Sequence, residues 1–346
     1  MTAPPGELRP AAPPARRRSQ PSRAPRVLRY LLAALCTALS VAVALPDLLD
    51  LDAGAPFAQL IAFRPWLLVI GIGIVVALGL VLRLVRAARA TVAPFAAGGL
   101  AVLLVGAAIV LPRAMADPAP TTGPALTVLA FNAFEGNADP AQLAALITEQ
   151  QPDLVSISEA GENYLRTFRP LVEPLGYRAE ISATTRSDVA SVTLLVANRL
   201  GEASIRVGTE STAFPYLETT GGELGELRFV AYHAAAPVRR WMSRWRSDLA
   251  LLAQWCRAGT PAIVAGDFNA TLDHSPLRAG MAGCADAADQ RGAGLVPTWS
   301  PSEGTQLFGP QIDHVIATEG IVAETFSVHD IEGSDHRAVL TRLRLP

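Results

Sequence analysis

The chain has 346 residues, a length that suggests about two domains. Half of them are apolar, the mean hydropathy is +0.30 and only 17% are charged, against about 25% in ordinary soluble proteins; this excludes a disordered chain and argues against a wholly soluble one. The net charge of −2 conceals a split: residues 1–124 hold 12 Arg and 5 acidic residues (+7), and residues 125–346 hold 17 Arg and 26 acidic residues (−9).

Residues 1–28 are rich in Pro and Arg, cannot bury a core, and are expected to form a disordered cytoplasmic tail. Residues 29–112 contain three uncharged apolar runs, Tyr30–Leu45, Trp66–Leu82 and Val92–Leu111. A membrane-spanning helix takes about 17–25 residues. The first run reaches that length if Val27 and Leu28 join it and Arg29 snorkels. Arg residues crowd the tail and the loop after the second run (Arg83, Arg86, Arg89), whereas the loop after the first holds Arg64 among Asp47, Asp50 and Asp52. Positive residues stay inside, so three crossings of the plasma membrane leave the N-terminus cytoplasmic and the C-terminal domain extracytoplasmic. A cleaved signal peptide ending at Ala42-Val43-Ala44 is the competing reading, and it leaves that domain on the same side. Residues 113–124 read as a Pro-rich linker. Three cysteines are too few for a disulfide framework; Cys36 lies in the first run, and Cys256 and Cys284 either pair in an oxidising compartment or are buried separately.

Residues 125–346 alternate strands with helices. Strands are expected at Ala125–Phe131, Asp153–Ser158, Val192–Ala197, Ser204–Gly208, Leu227–His233, Pro261–Ala265, Ile312–Ala317, Thr325–Val328 and Ala338–Leu343. Helices are expected at Ala141–Glu149, entered through an Asp139 cap and Pro140, near Asn163–Leu171, and over Val238–Arg257. So many consecutive strands do not suit a doubly wound sheet. They suit two stacked sheets with helices outside, an α/β chain with a large single core.

Polar residues cluster where the apolar strands stop. Asn132 ends the first, Glu159 follows DLVSIS, His233 ends LRFVAYH, and Asp267 and Asn269 follow PAIVAG; Asp313 opens another strand and Asp335-His336 precede the last. Strand ends are where α/β proteins gather their sites. Carboxylates converging there repel one another unless a cation lies among them, and a hard oxygen donor set without a Cys/His cluster points to Mg²⁺, with Mn²⁺ as the alternative, and away from zinc. The two histidines and two asparagines suit a phosphoryl group. Each piece alone has a plain structural explanation: GDFN as a turn, SDH as a helix cap, His233 as a bonded strand-end histidine. Their joint occurrence in this order does not.

With FNAF, DLVSISE, YH, GDFNAT, IDHV and GSDHRAV in place, residues 125–346 resemble the endonuclease/exonuclease/phosphatase superfamily, the deoxyribonuclease-I-like phosphoesterases, in a membrane-anchored bacterial form. The resemblance implies a four-layer α/β/β/α sandwich. It implies Glu159 as principal Mg²⁺ ligand with Asn132 beside it and Asp335 near the metal. It makes Asp267 the acid that orients or deprotonates the attacking water, Asn269 a phosphate contact, and His336 the histidine at the reacting phosphate, paired with Asp313. His233 becomes a phosphate contact or general acid. Its carboxylate partner is not evident, and Asp188 is the candidate. The expected activity is hydrolysis of a phosphodiester or phosphomonoester such as a lipid head group or small phosphoester, with an extracellular nuclease and an inactive binding domain as alternatives. A balance of −9 disfavours nucleic acid, whose binding draws on many cationic contacts. In VRRWMSRWR, Trp241 and Trp245 are expected on one helix face, as core residues beneath solvated Arg239, Arg240, Arg244 and Arg246; a substrate or membrane-surface patch beside His233 is the alternative.

Overall fold

The computed structural model describes residues 24–183, 187–301 and 306–346. The expected tail falls mostly on residues 1–23, outside the described residues, but helix α1 (Ala24–Ala44) starts within the segment 1–28. Helix α1 leads through a short helix α2 (Phe57–Ile61) to α3 (Arg64–Leu84) and α4 (Arg89–Val110). Three helical stretches, Arg26–Ala44, Arg64–Leu84 and Arg86–Ala114, are long and apolar enough to cross a membrane. Leu31, Leu35, Ile70, Ile74 and Leu104 stand exposed on them, an uncovered apolar surface of the kind a bilayer covers. Gly98 meets Thr37 and Gly106 meets Leu68 with no room for a Cβ, so small residues let α4 approach α1 and α3 closely.

Among the described residues twelve strands follow: β1 (Ala125–Asn132), β2 (Leu154–Ser158), β3 (Tyr177–Ile181), β4 (Val192–Ala197), β5 (Ala203–Gly208), β6 (Tyr216–Gly221), β7 (Arg228–His233), β8 (Ala262–Asp267), β9 (Cys284–Asp286), β10 (Asp313–Thr318), β11 (Val322–Asp330) and β12 (Arg337–Arg344). They form two six-stranded sheets, ordered β11-β12-β1-β2-β4-β3 and β5-β6-β7-β8-β10-β9. The β1–β2 and β7–β8 pairs are parallel and the others antiparallel. Helices α5 (Pro140–Gln150) and α6 (Glu162–Val172) cover the first sheet; α7 (Met242–Leu251), α8 (Ala253–Cys256) and α9 (Ser275–Gly280) cover the second. This is the expected four-layer sandwich. Asp139 caps α5 by accepting from Ala141 N and Gln142 N. Cys256 and Cys284 are paired, tying α8 to β9.

Three strands were not anticipated. β3 (YRAEI) is an edge strand with charges in alternation, β6 (YLETTG) carries Glu218, and β9 is three residues long. Glu218 is tolerated inside because Arg206 Nη2 donates to it at 2.7 Å. The single helix expected over Val238–Arg257 is broken. The Tyr232 hydroxyl donates to Asp248 O at 2.8 Å, occupying the carbonyl a continuous helix offers to Leu252 N; Leu252 N bonds Leu249 O instead.

The loop between α1 and α3 and the linker are docked on the sandwich. Arg64, fully buried at the head of α3, is ion-paired with Asp47 and, at 2.6 Å, with Asp273; Arg113 reaches the same Asp273 oxygen at 3.0 Å. Asp52 accepts from Ser275 N (2.5 Å) and Oγ (2.9 Å) at the start of α9. His274 Nε2 lies 2.8 Å from Ala58 O. The segment read as a Pro-rich linker also pairs with the domain, Ala116 bridging to Arg291.

Candidate active site

The period of two along a strand decides where the polar residues point. In β1, Leu126, Val128 and Ala130 face the core between the sheets, while Leu129 and Phe131 face α5 and α6. One more step puts Asn132 on the inter-sheet side. The same count carries Phe229 and Ala231 to His233, Ile263 and Ala265 to Asp267, and Val315 back to Asp313. Strand register sets His233 opposite Asp267 and Asp267 opposite Asp313. Four polar side chains thus close one end of the hydrophobic core. Gly266 makes this rung possible: at φ +147° its missing Cβ would fall 1.9 Å from Tyr232 O.

Two further residues sit just beyond strands in left-handed backbone, Glu159 (φ 54°) and Asn269 (φ 49°). Such conformations are costly for non-glycine residues and concentrate at functional sites. Glu135 N donates to Glu159 Oε2 at 2.8 Å, and Asn132 Nδ2 lies 3.3 Å from Glu159 Oε1 and 3.0 Å from Asp267 Oδ2. Asn269 N donates to Asp267 Oδ1 at 2.8 Å. Its Nδ2 donates to Asp267 Oδ2 (3.2 Å) and Ala234 O (3.1 Å), two bonds that compete with the phosphate contact expected of it.

The GSDH segment completes the ring. His336 Nδ1 lies 2.8 Å from Asp313 Oδ2, and its Nε2 points at Asp267 Oδ2 (3.8 Å) and Asp335 Oδ1 (3.9 Å). His233 Nε2 faces Asp267 Oδ2 at 3.6 Å and Glu159 Oε1 at 3.9 Å. All eight residues singled out from the sequence therefore meet in one place, including Glu159 and Asp335, whose carboxylates are close enough for Asp335 to raise the proton affinity of Glu159.

Burial dominates the electrostatics. It pushes the carboxyls of Glu159 and Asp335 up, and that of Asp267 to about 7, with the charge of Asp313 adding to the rise and His336 opposing it. Burial and the His336 charge bring His233 down to about 3, so it is neutral. His336 goes the other way: burial disfavours its cation, but Asp313 and then Asp267 outweigh burial and carry it up to about 10.

A hard cation fits this donor set. Asp335 Oδ1 is buried with no hydrogen-bond partner among the described residues, and it shares the site with Glu159; the Asn132 amide oxygen, the atom that would join them, accepts from Phe134 N at 2.9 Å. The donor atoms of Asp267, Asp313 and His336 also lie within 4.8 Å of one another. There, however, Asp313 Oδ2 is paired with His336 Nδ1, so this trio reads as an ion pair facing Asp267, although Asp313 Oδ1, like Asp335 Oδ1, is buried with no hydrogen-bond partner among the described residues.

Several supporting residues escaped the sequence reading. Trp299 Nε1 donates to Asp335 Oδ2 at 2.9 Å, and Thr298 Oγ1 accepts from Asp313 N at 3.0 Å. Ser334 Oγ donates to Asn132 O (2.8 Å) and accepts from His336 N (3.0 Å), joining the first strand to the last motif. A serine before Asp-His was legible only as a cap. Asp188 is not the partner of His233. Its Oδ1 accepts from Gly161 N and Tyr164 N at the head of α6, and His233 instead stacks on Phe214 with ring centroids 4.4 Å apart. Trp241 and Trp245 do not share a helix face either. Trp241 lies in a 3-10 turn beneath Arg240 and Arg244, while buried Trp245 donates to Asn269 O at 3.0 Å.

A two-sheet sandwich with a carboxylate, amide and histidine ring at one end of its core defines the class of metal-dependent phosphoester hydrolases. The sequence model of the endonuclease/exonuclease/phosphatase family matches residues 129–336, and the chain belongs to that family. Among solved structures, it is similar to D. rerio TDP2 humanized by 14 mutations, at 14% identity and a TM-score of 0.52, over 64% of this chain and 99% of that one. It is also similar to the endonuclease/exonuclease/phosphatase of Beutenbergia cavernae (18%, TM-score 0.48, over 64% and 72%). The third is ANGEL2, a 2',3'-cyclic phosphatase (13%, TM-score 0.49, over 64% and 96%). These likenesses concern the fold. No curated protein matches the chain.

Proposed function

We propose that the chain is a membrane-anchored, extracytoplasmic, Mg²⁺-dependent phosphoesterase that cleaves a phosphodiester or phosphomonoester by attack of an activated water. The observation that carries this reading is the opposition of the Asp267 carboxylate and the His336 cation, 3.8 Å apart and both buried, with Asp313 locked behind the histidine. Asp267, held by Asn132 and Asn269, accepts the proton of the attacking water. Cationic His336 meets the oxygens on which charge accumulates, and Asp313 fixes the ring and its proton. Neutral His233 faces the same space and donates to a phosphate oxygen or the leaving group. Glu159, Asn132 and Asp335 would hold Mg²⁺, which supplies Lewis-acid stabilisation of the phosphoryl oxygens.

Placement outside the cell is supported by the distribution of Arg around the three apolar helices and by the Cys256–Cys284 pair, which persists in oxidising compartments. The −9 balance of residues 125–346 favours a small or lipid phosphoester over nucleic acid. The test is turnover of bis(p-nitrophenyl) phosphate by the full-length protein with Mg²⁺. Asp267→Ala and His336→Ala, folded by circular dichroism, should each lose about 10²–10⁴ of the rate; unchanged rates in both would defeat the mechanism.

A further inference from the structure

Resting on the phosphoesterase reading, we propose that the substrate is a phosphoester bearing a hydrocarbon chain. The chain lies in an apolar cleft built jointly by the loop between α1 and α3 and by the rim of the active site. The cleft has a volume of about 280 Å³. Ala62 and Phe63 wall it from the anchor side, Ala236 and Pro237 from the segment after β7, and Asn269 and Trp299 from the site itself. These last two are each one hydrogen bond from a reacting-site carboxylate, Asn269 on Asp267 at 3.2 Å and Trp299 on Asp335 at 2.9 Å. A phosphate between those carboxylates therefore has the cleft as its neighbour.

The anchor wall is fixed in place. The Arg64–Asp273 pair, the Asp52–Ser275 bonds and the His274–Ala58 contact clamp the loop onto the domain, and Gln59 Nε2 donates to Pro237 O across the cleft. Beyond it the apolar surface continues toward the helices. Four residues after Phe63, Leu67 lines a second hollow of about 330 Å³ among α1, α3 and α4. At the same level Leu307 and Phe308 are 69% and 61% exposed, with the Phe308 ring 5.0 Å from that of Trp66. An aromatic and aliphatic shelf at the head of a spanning helix is the pattern of a bilayer interface.

A cleft of this size takes one small ligand rather than a helix of a partner protein. A hydrocarbon chain is the occupant that gains from the position. Drawing a lipid's phosphate out to the carboxylates exposes part of its chain to water, at a cost of about fourfold in partition per methylene. A carbon-lined cleft between bilayer and phosphate removes that cost. A water-soluble phosphoester gains nothing from it.

The experiment compares matched ligands that differ only in the chain, on the full-length protein in nanodiscs with Mg²⁺. Binding of methylphosphonate and hexylphosphonate is measured by calorimetry, and turnover of methyl and hexyl p-nitrophenyl phosphate by absorbance. The hexyl ligand should be favoured at least about tenfold in both affinity and kcat/KM. Ala62→Phe and Ala236→Phe, which fill the cleft from opposite walls, should bring the hexyl-to-methyl ratio to about one whatever their absolute rates. Equal affinity of the wild type for the two phosphonates, or a preference that survives both fillings, overturns the chain site. Chain-dependent binding without turnover of either ester supports the chain site and overturns the phosphoesterase reading.

Discussion

Asp313→Asn isolates the role of the buried ion pair behind the reacting histidine. Asp313 Oδ2 lies 2.8 Å from His336 Nδ1, and both side chains are almost wholly inaccessible. Burial acts against the imidazolium, and the Asp313 charge is the largest of the influences that restore it, with the outcome near 10. Asparagine keeps the shape and removes the charge. What remains is burial opposed by the more distant Asp267 and Asp335, so the proton affinity of His336 should fall toward the ordinary histidine value of about 6.5. At pH 8 a group of that affinity is about 3% protonated, so if the cation is the active form the rate at pH 8 drops by up to about thirtyfold. The sign is fixed by the mechanism: activity is lost as pH rises through the His336 value, and the alkaline limb of kcat/KM moves from near pH 10 into the neutral range. Stability follows the same proton. Because the folded value is raised, the pair stabilises the fold fully below about pH 6.5 and loses that contribution as pH rises toward 10. The assays are the pH–rate profile and urea denaturation at pH 7 and pH 10.5, on both proteins. An Asp313→Asn profile superimposable on the wild type would refute the argument.

Three further perturbations test the metal, the covalent tie and the anchor. Glu159→Gln should raise the Mg²⁺ concentration for half-maximal activity by an order of magnitude or more, and chelation should abolish turnover reversibly; indifference of both proteins to chelator would remove the metal from the reaction. Cys256→Ser opens a 28-residue loop. It should cost about 3.5 kcal/mol on the loop-entropy account, read as a lower Tm, whereas an unchanged Tm would mean that the pair does not form in the folded protein. Arg64→Met removes the cation that Asp47 and Asp273 share but leaves Arg278 on the first and Arg113 on the second, so it should cost less than the roughly 3–5 kcal/mol of a buried charge left wholly unpaired. Hydrogen exchange over residues 46–63 should accelerate while the β-sheets stay protected; uniform protection would show that the loop is held by other contacts.

How much was legible depended on whether a residue's role was written in local order. The strand-end polar residues were readable because the two-residue alternation that buries Val128, Phe229 and Ile263 also aims Asn132, His233 and Asp267. Asp139-Pro140 announced α5 for the same reason: cap and first turn are neighbours in sequence. Features that depend on distant partners left no such trace. β6 is held by pairing to β5 and β7 and by Arg206 on its Glu218, none of which alternation in YLETTG reveals. The α7–α8 break comes from a tyrosine 16 residues upstream that takes one helical carbonyl. Asp188 looked available to His233 because composition alone does not say which backbone amides lie beside it; Gly161 and Tyr164 do.

The largest unread feature is the docked loop. Arg64, Asp47 and Asp52 were informative as charges flanking apolar runs, and that use of them treats the loop as a featureless connection through water. Their partners, Asp273 and Ser275, lie more than 200 residues away and adjoin His274 in a stretch with no motif of its own. Because these contacts bury Arg64 completely, the apolar helices and the sandwich are packed together at that point. The spatial consequence is that the site carboxylates lie at a defined place relative to the head of α3 and the end of α4. Helices that only retained the domain would need none of these bonds, and, on the proposed reading, an active site that served soluble phosphoesters would gain nothing from a wall contributed by the loop between α1 and α3.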